Sequence, residues 1–185
     1  MKELFEAVRA GDLAKVETLV ASDPTLAIFA AAILGDVDRL EALLTANRSL
    51  TTAVSTDGWT PLHLTAFFGK PEAARLLLNK GASVTMRSTN AMNNMPLHAA
   101  AAGKNTELVK LLLERGAPAN AQQHGGWAPL HAAAQNGDVE MAGILVENGA
   151  DVSARADNQQ RPLDLALLKG NQAMVDFLEA HGANL

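Results

Sequence analysis

The residues best suited to chemistry in this chain are its histidines, and three of the five keep a regular spacing. His63, His98 and His131 each follow a Pro-Leu pair and stand 35 and 33 residues apart. An imidazole near neutral pH can act as a general base or as a metal ligand. One zinc ion, however, needs its ligands at about 2.0–2.1 Å. Residues that recur once per structural unit lie one packed-helix spacing apart, on the order of 10 Å. No single ion can collect all three. His124 and His181 have no patterned partner.

Other reactive constellations are missing from the sequence. With no cysteine, disulfides, thiolate zinc sites and Cys nucleophiles are removed. The chain contains no Gly-x-Gly-x-x-Gly, phosphate loop, His-Glu-x-x-His or Gly-x-Ser-x-Gly. Gly125-Gly126 reads as turn punctuation. Acidic residues are scattered over prospective helix surfaces, as on a solvated face. The expectation is a chain with no catalytic centre, no cofactor and no metal. A net charge of −5 and a pI near 5.5 argue against nucleic acid, whose phosphates call for a basic face. Met1 to Glu6 carries charges where a signal peptide needs an apolar core. No apolar run is long enough to span a membrane, so a cytoplasmic location is expected.

The histidines are positioned by a repeating unit. Pro61, Pro96, Pro129 and Pro162 step by 35, 33 and 33 residues, and Gly81, Gly116, Gly149 and Gly182 keep the same steps. Between these markers run Leu76-Leu77-Leu78, Leu111-Leu112-Leu113, Ile144-Leu145-Val146 and Phe177-Leu178. Two markers holding one interval over four copies indicate a repeat of solenoid length. Each unit reads as a helix pair. Proline opens the first helix, where its fixed φ fits and its missing N–H is not needed. That helix, about two turns long, is too short to stand alone in water and folds only under its neighbours. The glycine after the second helix can take the left-handed conformation that ends it. Segments such as 84–94 and 152–161 are expected to project as hairpin-like arms.

The first two units depart from this plan. Gly11 to Gly35 spans only 24 residues, while Gly35 to Gly69 spans 34. The first unit therefore lacks most of its arm, and Asp23-Pro24 is expected to replace it with a tight turn. Lys2, Glu3, Glu6, Arg9, Lys15 and Glu17 give that unit the polar outer face of a cap. Only Thr60 supplies a hydroxyl before the repeat proline; Met95, Ala128 and Arg161 do not. Each such loss costs roughly 0.5–2 kcal/mol. Gly103 falls one place before the usual glycine, with Lys104 in its stead, and Gly143 interrupts a second helix. Fraying is expected from Leu185.

Thr60-Pro61-Leu62-His63, with Thr65-Ala66, Gly69, a leucine run and Gly81-Ala82 after it, resembles the ankyrin-repeat family. Its pattern is close to Thr-Pro-Leu-His-x-Ala-Ala, a Gly, a Leu-rich run and Gly-Ala-Asp, the last of which stands here as Gly149-Ala150-Asp151. The likeness covers nearly the whole chain. It implies an all-α ankyrin-repeat solenoid of stacked helix-turn-helix units with projecting arms. It implies one domain over 1–185, with repeats at about 1–24, 25–57, 58–92, 93–125, 126–158 and 159–185. It also implies a structural role for the three histidines, with each imidazole bonding backbone and hydroxyl groups at the start of its own helix.

For function, the resemblance implies a non-catalytic protein–protein interaction module, monomeric in isolation, that holds a partner protein in a concave groove. The variable positions facing such a groove lie on the arms and at the ends of the first helices. Here those positions hold Trp59, Phe67 and Phe68 as the expected centre, with Leu34, Met92 and Trp127 beside them. Arg9, Asp57, Gln135, Asn136 and Lys169 form the expected polar rim. Exposed apolar clusters mark interaction sites, and aromatic residues dominate binding hot spots. Residues on short first helices also pack on neighbouring repeats, so Ile33, Leu34 and Phe67 are open to a core role. Phe5, Phe29 and Phe177 are expected to pack. A second class of function, self-association through the apolar groove half or the last repeat, stays open at this point.

Overall fold

The computed structural model describes residues 1–184. The expectation for Leu185 lies outside the described residues. Among the described residues, twelve α-helices follow one another in six pairs. The pairs are α1 (Lys2–Ala10) with α2 (Leu13–Ser22), α3 (Ala27–Leu34) with α4 (Val37–Ala46), and α5 (Pro61–Phe68) with α6 (Pro71–Asn79). They continue as α7 (Pro96–Ala102) with α8 (Thr106–Glu114), α9 (Pro129–Asn136) with α10 (Val139–Glu147), and α11 (Pro162–Leu168) with α12 (Gln172–Ala180). From α3 to α11 the odd-numbered helices stack into an inner layer, and from α4 to α12 the even-numbered ones form an outer layer. No strand occurs among the described residues. The fold is an all-α solenoid.

Side-chain size explains the close inner stack. Ala30, Ala31 and Ala32 of α3, Ala99, Ala100 and Ala101 of α7, and Ala133 and Ala134 of α9 are all fully buried. Small residues let one short helix lie directly on the next. The outer helices instead bury larger side chains along one face. Leu40/Leu44, Ala73/Leu77, Leu108/Leu112, Met141/Leu145 and Met174/Leu178 are buried pairs at i, i+4, the stripe of an amphipathic helix. Asp12, Asp36, Asp138 and Asn171 cap their outer helices, each side chain accepting a backbone N–H at 2.9–3.0 Å. Asp23-Pro24 opens a 3₁₀ turn, with the Asp23 carboxylate accepting the Thr25 N–H, where the first arm is missing.

Two departures in the sequence are compensated. Where no hydroxyl precedes the proline, the third helical residue supplies half of a capping box. His98 Nδ1 accepts the Met95 N–H and His131 Nδ1 accepts the Ala128 N–H, both at 3.1 Å. At α11, Asp164 accepts the Arg161 N–H at 2.8 Å and the Arg161 guanidinium at 2.6 Å. These side-chain hydrogen bonds from Arg161 hold the Asp164 carboxyl below its usual range. After α7, Lys104 itself takes the left-handed conformation, φ 58°, that glycine takes after α5 and α9.

The arms are hairpin turns that bond to one another. Within them, Ser55 N donates to Trp59 O, Ser88 N to Asn94 O, Gln123 N to Trp127 O and Ala156 N to Gln160 O, at 2.8–3.0 Å. Between them, Thr89 N donates to Gly58 O, His124 N to Met92 O and Asp157 N to Gly125 O, each at 2.9 Å. The residue three before each repeat proline has positive φ: Gly58, Asn93, Gly126 and Gln159. One side of the solenoid is thus a ribbon of arms set beside the inner helix ends.

Candidate binding groove

Two wall elements meet along this ribbon. The arms carry Trp59 and Trp127, each two residues before its proline, and each indole lies over the histidine of its own helix, with ring centroids 6.2 and 5.4 Å apart. The inner helix α5 ends in Phe67 and Phe68. That end is held from behind by the next pair, because Asn105 Nδ2 donates to the carbonyls of Ala66 and Phe67, both at 2.8 Å. Gly103 lies so close that an added Cβ would collide with the Phe67 carbonyl oxygen. The displaced glycine of the sequence is therefore a packing requirement of this wall.

Trp59, Phe67, Phe68 and Phe5 form a connected aromatic surface. Trp59 and Phe67 meet edge to face at 5.2 Å, Phe67 and Phe68 likewise at 5.3 Å, and Phe5 stacks on Phe68 at 5.7 Å. Such pairs contribute about 0.5–1.5 kcal/mol each beyond the area they bury. They line a cavity of about 570 Å³ together with Arg9, Asp57 and Asn90. A smaller slot of about 210 Å³ follows between Trp59, Phe67, Met92 and Trp127. A third cavity of about 410 Å³, lined in part by Gln123, His124, Gln135 and Asn136, shares Met92 and Trp127 with that slot.

The expected centre and rim are only partly contiguous. Trp59, Phe67, Phe68, Asp57 and Arg9 share the first cavity. Met92 and Trp127 line the slot, and Gln135 and Asn136 line the third cavity. Leu34 is half-buried against the core, and Lys169 is exposed just past α11, outside all three linings. Ile33 is fully buried, which settles its open reading in favour of the core. Phe29 is core as well, and Phe177 is half-buried beside the His181 ring. Phe5 packs partly buried against the core, as expected, and it also lines the cavity. It occupies the histidine position of its unit, yet its ring reaches the cavity, because the first pair lacks an arm and α1 packs less broadly on α3 than the later inner helices do on each other. No residue-type signal marks that shift; the short interval from Gly11 to Gly35 is its only trace.

A model of the family described as ankyrin repeats, in three copies, matches residues 4–117 and 97–185. The chain belongs to the ankyrin-repeat family. It is 36% identical over 120 residues to the ankyrin repeat and SAM domain-containing protein 6 of Rattus norvegicus, and 38% identical over 120 residues to that of Mus musculus. Both matches cover 60% of this chain and 14% of the relative. It is also 37% identical over 86 residues to the transient receptor potential cation channel subfamily A member 1 of Homo sapiens, covering 45% of this chain and 7% of that one. The chain thus corresponds to a small part of the relatives it matches. Ankyrin repeats are general protein–protein interaction modules. Among the described residues no helix is long and apolar enough to cross a membrane.

His63, His98 and His131 of this ankyrin array each tie the start of their own helix to the arm that follows. His63 Nδ1 accepts the Thr60 hydroxyl at 2.8 Å, and His98 and His131 accept N-cap N–H groups as described above. With Nδ1 accepting, the proton sits on Nε2, which donates to Asn94 O, Ala121 O and Gln160 O at 3.0, 2.9 and 3.1 Å. Every ring nitrogen is used by the backbone framework. Burial lowers the pKa of His63 and His98 to about 4 and lowers that of His131. The rings are neutral, as this bonding requires.

Proposed function

We propose that this chain is a non-catalytic binding module, one array of six repeats at about 1–24, 25–57, 58–92, 93–125, 126–158 and 159–185. It holds a partner protein in its concave groove, with Trp59, Phe67 and Phe68 at the centre. The observation that carries this reading is the aromatic cavity of about 570 Å³. Phe67 remains 37% exposed beside Trp59 although Leu62, Leu64 and Leu77 of the same repeat are fully buried. An aromatic patch left uncovered on a charged surface marks a contact site. Arg9 and Asp57 give the cavity a rim of both signs, suited to orienting a partner more than to binding it tightly. Trp127 and Met92 extend the contact, with Gln135 and Asn136 as its polar margin. Leu34 and Lys169 take subordinate places, the first as support and the second at a distance. The setting is proposed to be cytoplasmic and the isolated chain a monomer.

The test is a paired pull-down of the wild type and a Trp59→Ala/Phe68→Asp variant, after circular dichroism shows both folded. A protein retained by the wild type and lost by the variant supports the groove; equal retention removes it. One observation favours a second reading, self-association. Leu167 stands where Ala66, Ala101 and Ala134 are fully covered by the following repeat, and it is 46% exposed, with Leu168 beside it at 73%. Light scattering that gives twice 19.4 kDa, and one chain mass for Leu167→Glu/Leu168→Glu, would establish that reading.

A further inference from the structure

Asn94 occupies the arm position that holds Trp59 in one neighbour and Trp127 in the other. It is 5% exposed. Its backbone is fully used: the N–H donates to Ser88 Oγ at 3.0 Å, and the carbonyl accepts Ser88 N–H at 2.8 Å and His63 Nε2–H at 3.0 Å. Its side chain is not. Among the described residues, Asn94 Oδ1 is the one buried side-chain polar atom with no hydrogen-bond partner. Leaving such an atom unpaired costs about 1–3 kcal/mol, so its presence calls for a reason. Asn94 lines the slot of about 210 Å³ between the two tryptophans. The last torsion of asparagine is soft and roughly two-fold, so either end of the amide can turn to the slot.

The slot selects by charge and by shape. None of its lining residues is an acid, a lysine or an arginine, and its histidine, His98, is neutral at pH 7 with both ring nitrogens engaged. An ion inside would be desolvated with nothing opposite it. An uncharged group that can both donate and accept suits a carboxamide. The slot is also the smallest of three adjoining cavities, sharing Trp59 and Phe67 with the aromatic one and Met92 and Trp127 with the polar one. A chain crossing all three can set its main chain in the smallest and its side chains in the two larger ones.

We propose that the groove binds an extended segment of a partner protein whose main-chain amide pairs with the Asn94 carboxamide between Trp59 and Trp127. A large apolar side chain then fills the aromatic cavity, and an uncharged polar side chain meets Gln135 and Asn136. This rests on the groove reading above and names its ligand class.

The probe is a phage-displayed library of random 12-residue peptides selected on the whole chain. Selected peptides are then measured by fluorescence anisotropy against the wild type, Asn94→Leu and Trp59→Ala/Phe68→Asp. Each peptide is also synthesised with single backbone N-methyl groups scanned along it. Expected are peptides with an apolar residue near an uncharged polar one. They should lose affinity about tenfold with Asn94→Leu, and about as much with N-methylation at one bond only, an effect absent in that variant. Asn94→Leu should melt no lower than the wild type, because it removes an unpaired buried amide, and so misfolding cannot mimic the loss. Peptides that need Trp59 and Phe68 but ignore both Asn94→Leu and N-methylation would overturn this inference and leave the groove reading standing. Peptides bound equally by the Trp59→Ala/Phe68→Asp variant would overturn both. An empty selection would overturn the extended-segment ligand and leave a folded partner.

Discussion

The two halves of the face formed by the arms and inner helix ends are built on one frame and lined in opposite ways. Under Trp59 and under Trp127 sits the same histidine, its Nδ1 engaged at its own helix start and its Nε2–H on the next arm. Above the frame, the first half shows Phe5, Phe67 and Phe68, and the second shows Gln135 and Asn136. The frame must repeat because each repeat packs only on its neighbours. The lining can vary, because the stack covers it only in part. Function is therefore to be sought where the period is broken.

The largest expected effect is on binding. Phe67→Asp should abolish partner retention and leave the helical circular dichroism unchanged, whereas Gln135→Ala should lower it severalfold at most. A comparable loss from both would erase the distinction between the halves. Next in size is the frame itself. His98→Ala leaves the Met95 N–H and the Ala121 carbonyl without their partner. At about 1–3 kcal/mol for each group left unpaired, urea unfolding should show a loss of about 2–6 kcal/mol.

The same frame predicts a pH dependence. His63 and His98 have pKa values near 4 when folded and near the ordinary 6.5 when unfolded. Below pH 6.5 the unfolded chain takes up protons that the folded chain refuses. Stability is then fully present above pH 6.5 and falls toward pH 4, by up to about 1.4 kcal/mol per pH unit for each histidine. Urea midpoints between pH 7 and pH 4.5 measure this, and His63→Gln should flatten the slope. A slope unchanged in that variant would place the lost stability elsewhere.

The smallest effects set two glycines against each other. Gly143→Ala should raise stability by about 0.5–1 kcal/mol, because its Cβ would meet only the Phe177 ring at 3.9 Å. Gly103→Ala should lower it by about 1–3 kcal/mol, because it strikes the Phe67 backbone, and it should weaken partner binding as the wall shifts. Thermal melts of the two variants give the comparison directly.

The frame was legible in the sequence because its residues recur. The proline, histidine and glycine markers name the helix starts and ends, and α5, α7, α9 and α11 all open at the expected proline. Trp59, Phe67 and Phe68 were legible as candidates because they interrupt that recurrence. Ile33 was not separable from them by type alone. It precedes the helix-ending glycine as Phe67 does, and only the packed structure shows it covered. Nor was Phe5, whose place depends on how α1 settles where an arm is missing. Asn94 was visible as a substitution for tryptophan, but its unpaired amide is a property of the packed arm and of no residue pattern. Arg161 and Asp164 show the converse: the hydroxyl lost before Pro162 was legible, and its replacement by a carboxylate cap was not.

The most direct measurement compares the halves in one experiment. Wild type, Trp59→Ala/Phe67→Asp in the first half, and Gln135→Arg/Lys169→Glu in the second are each used to retain protein from a lysate of the source organism. Retained protein is quantified by mass spectrometry after matched circular dichroism. The account predicts a partner retained by the wild type, lost from the first variant and kept by the second. Equal retention by wild type and first variant, or loss confined to the second, would contradict it.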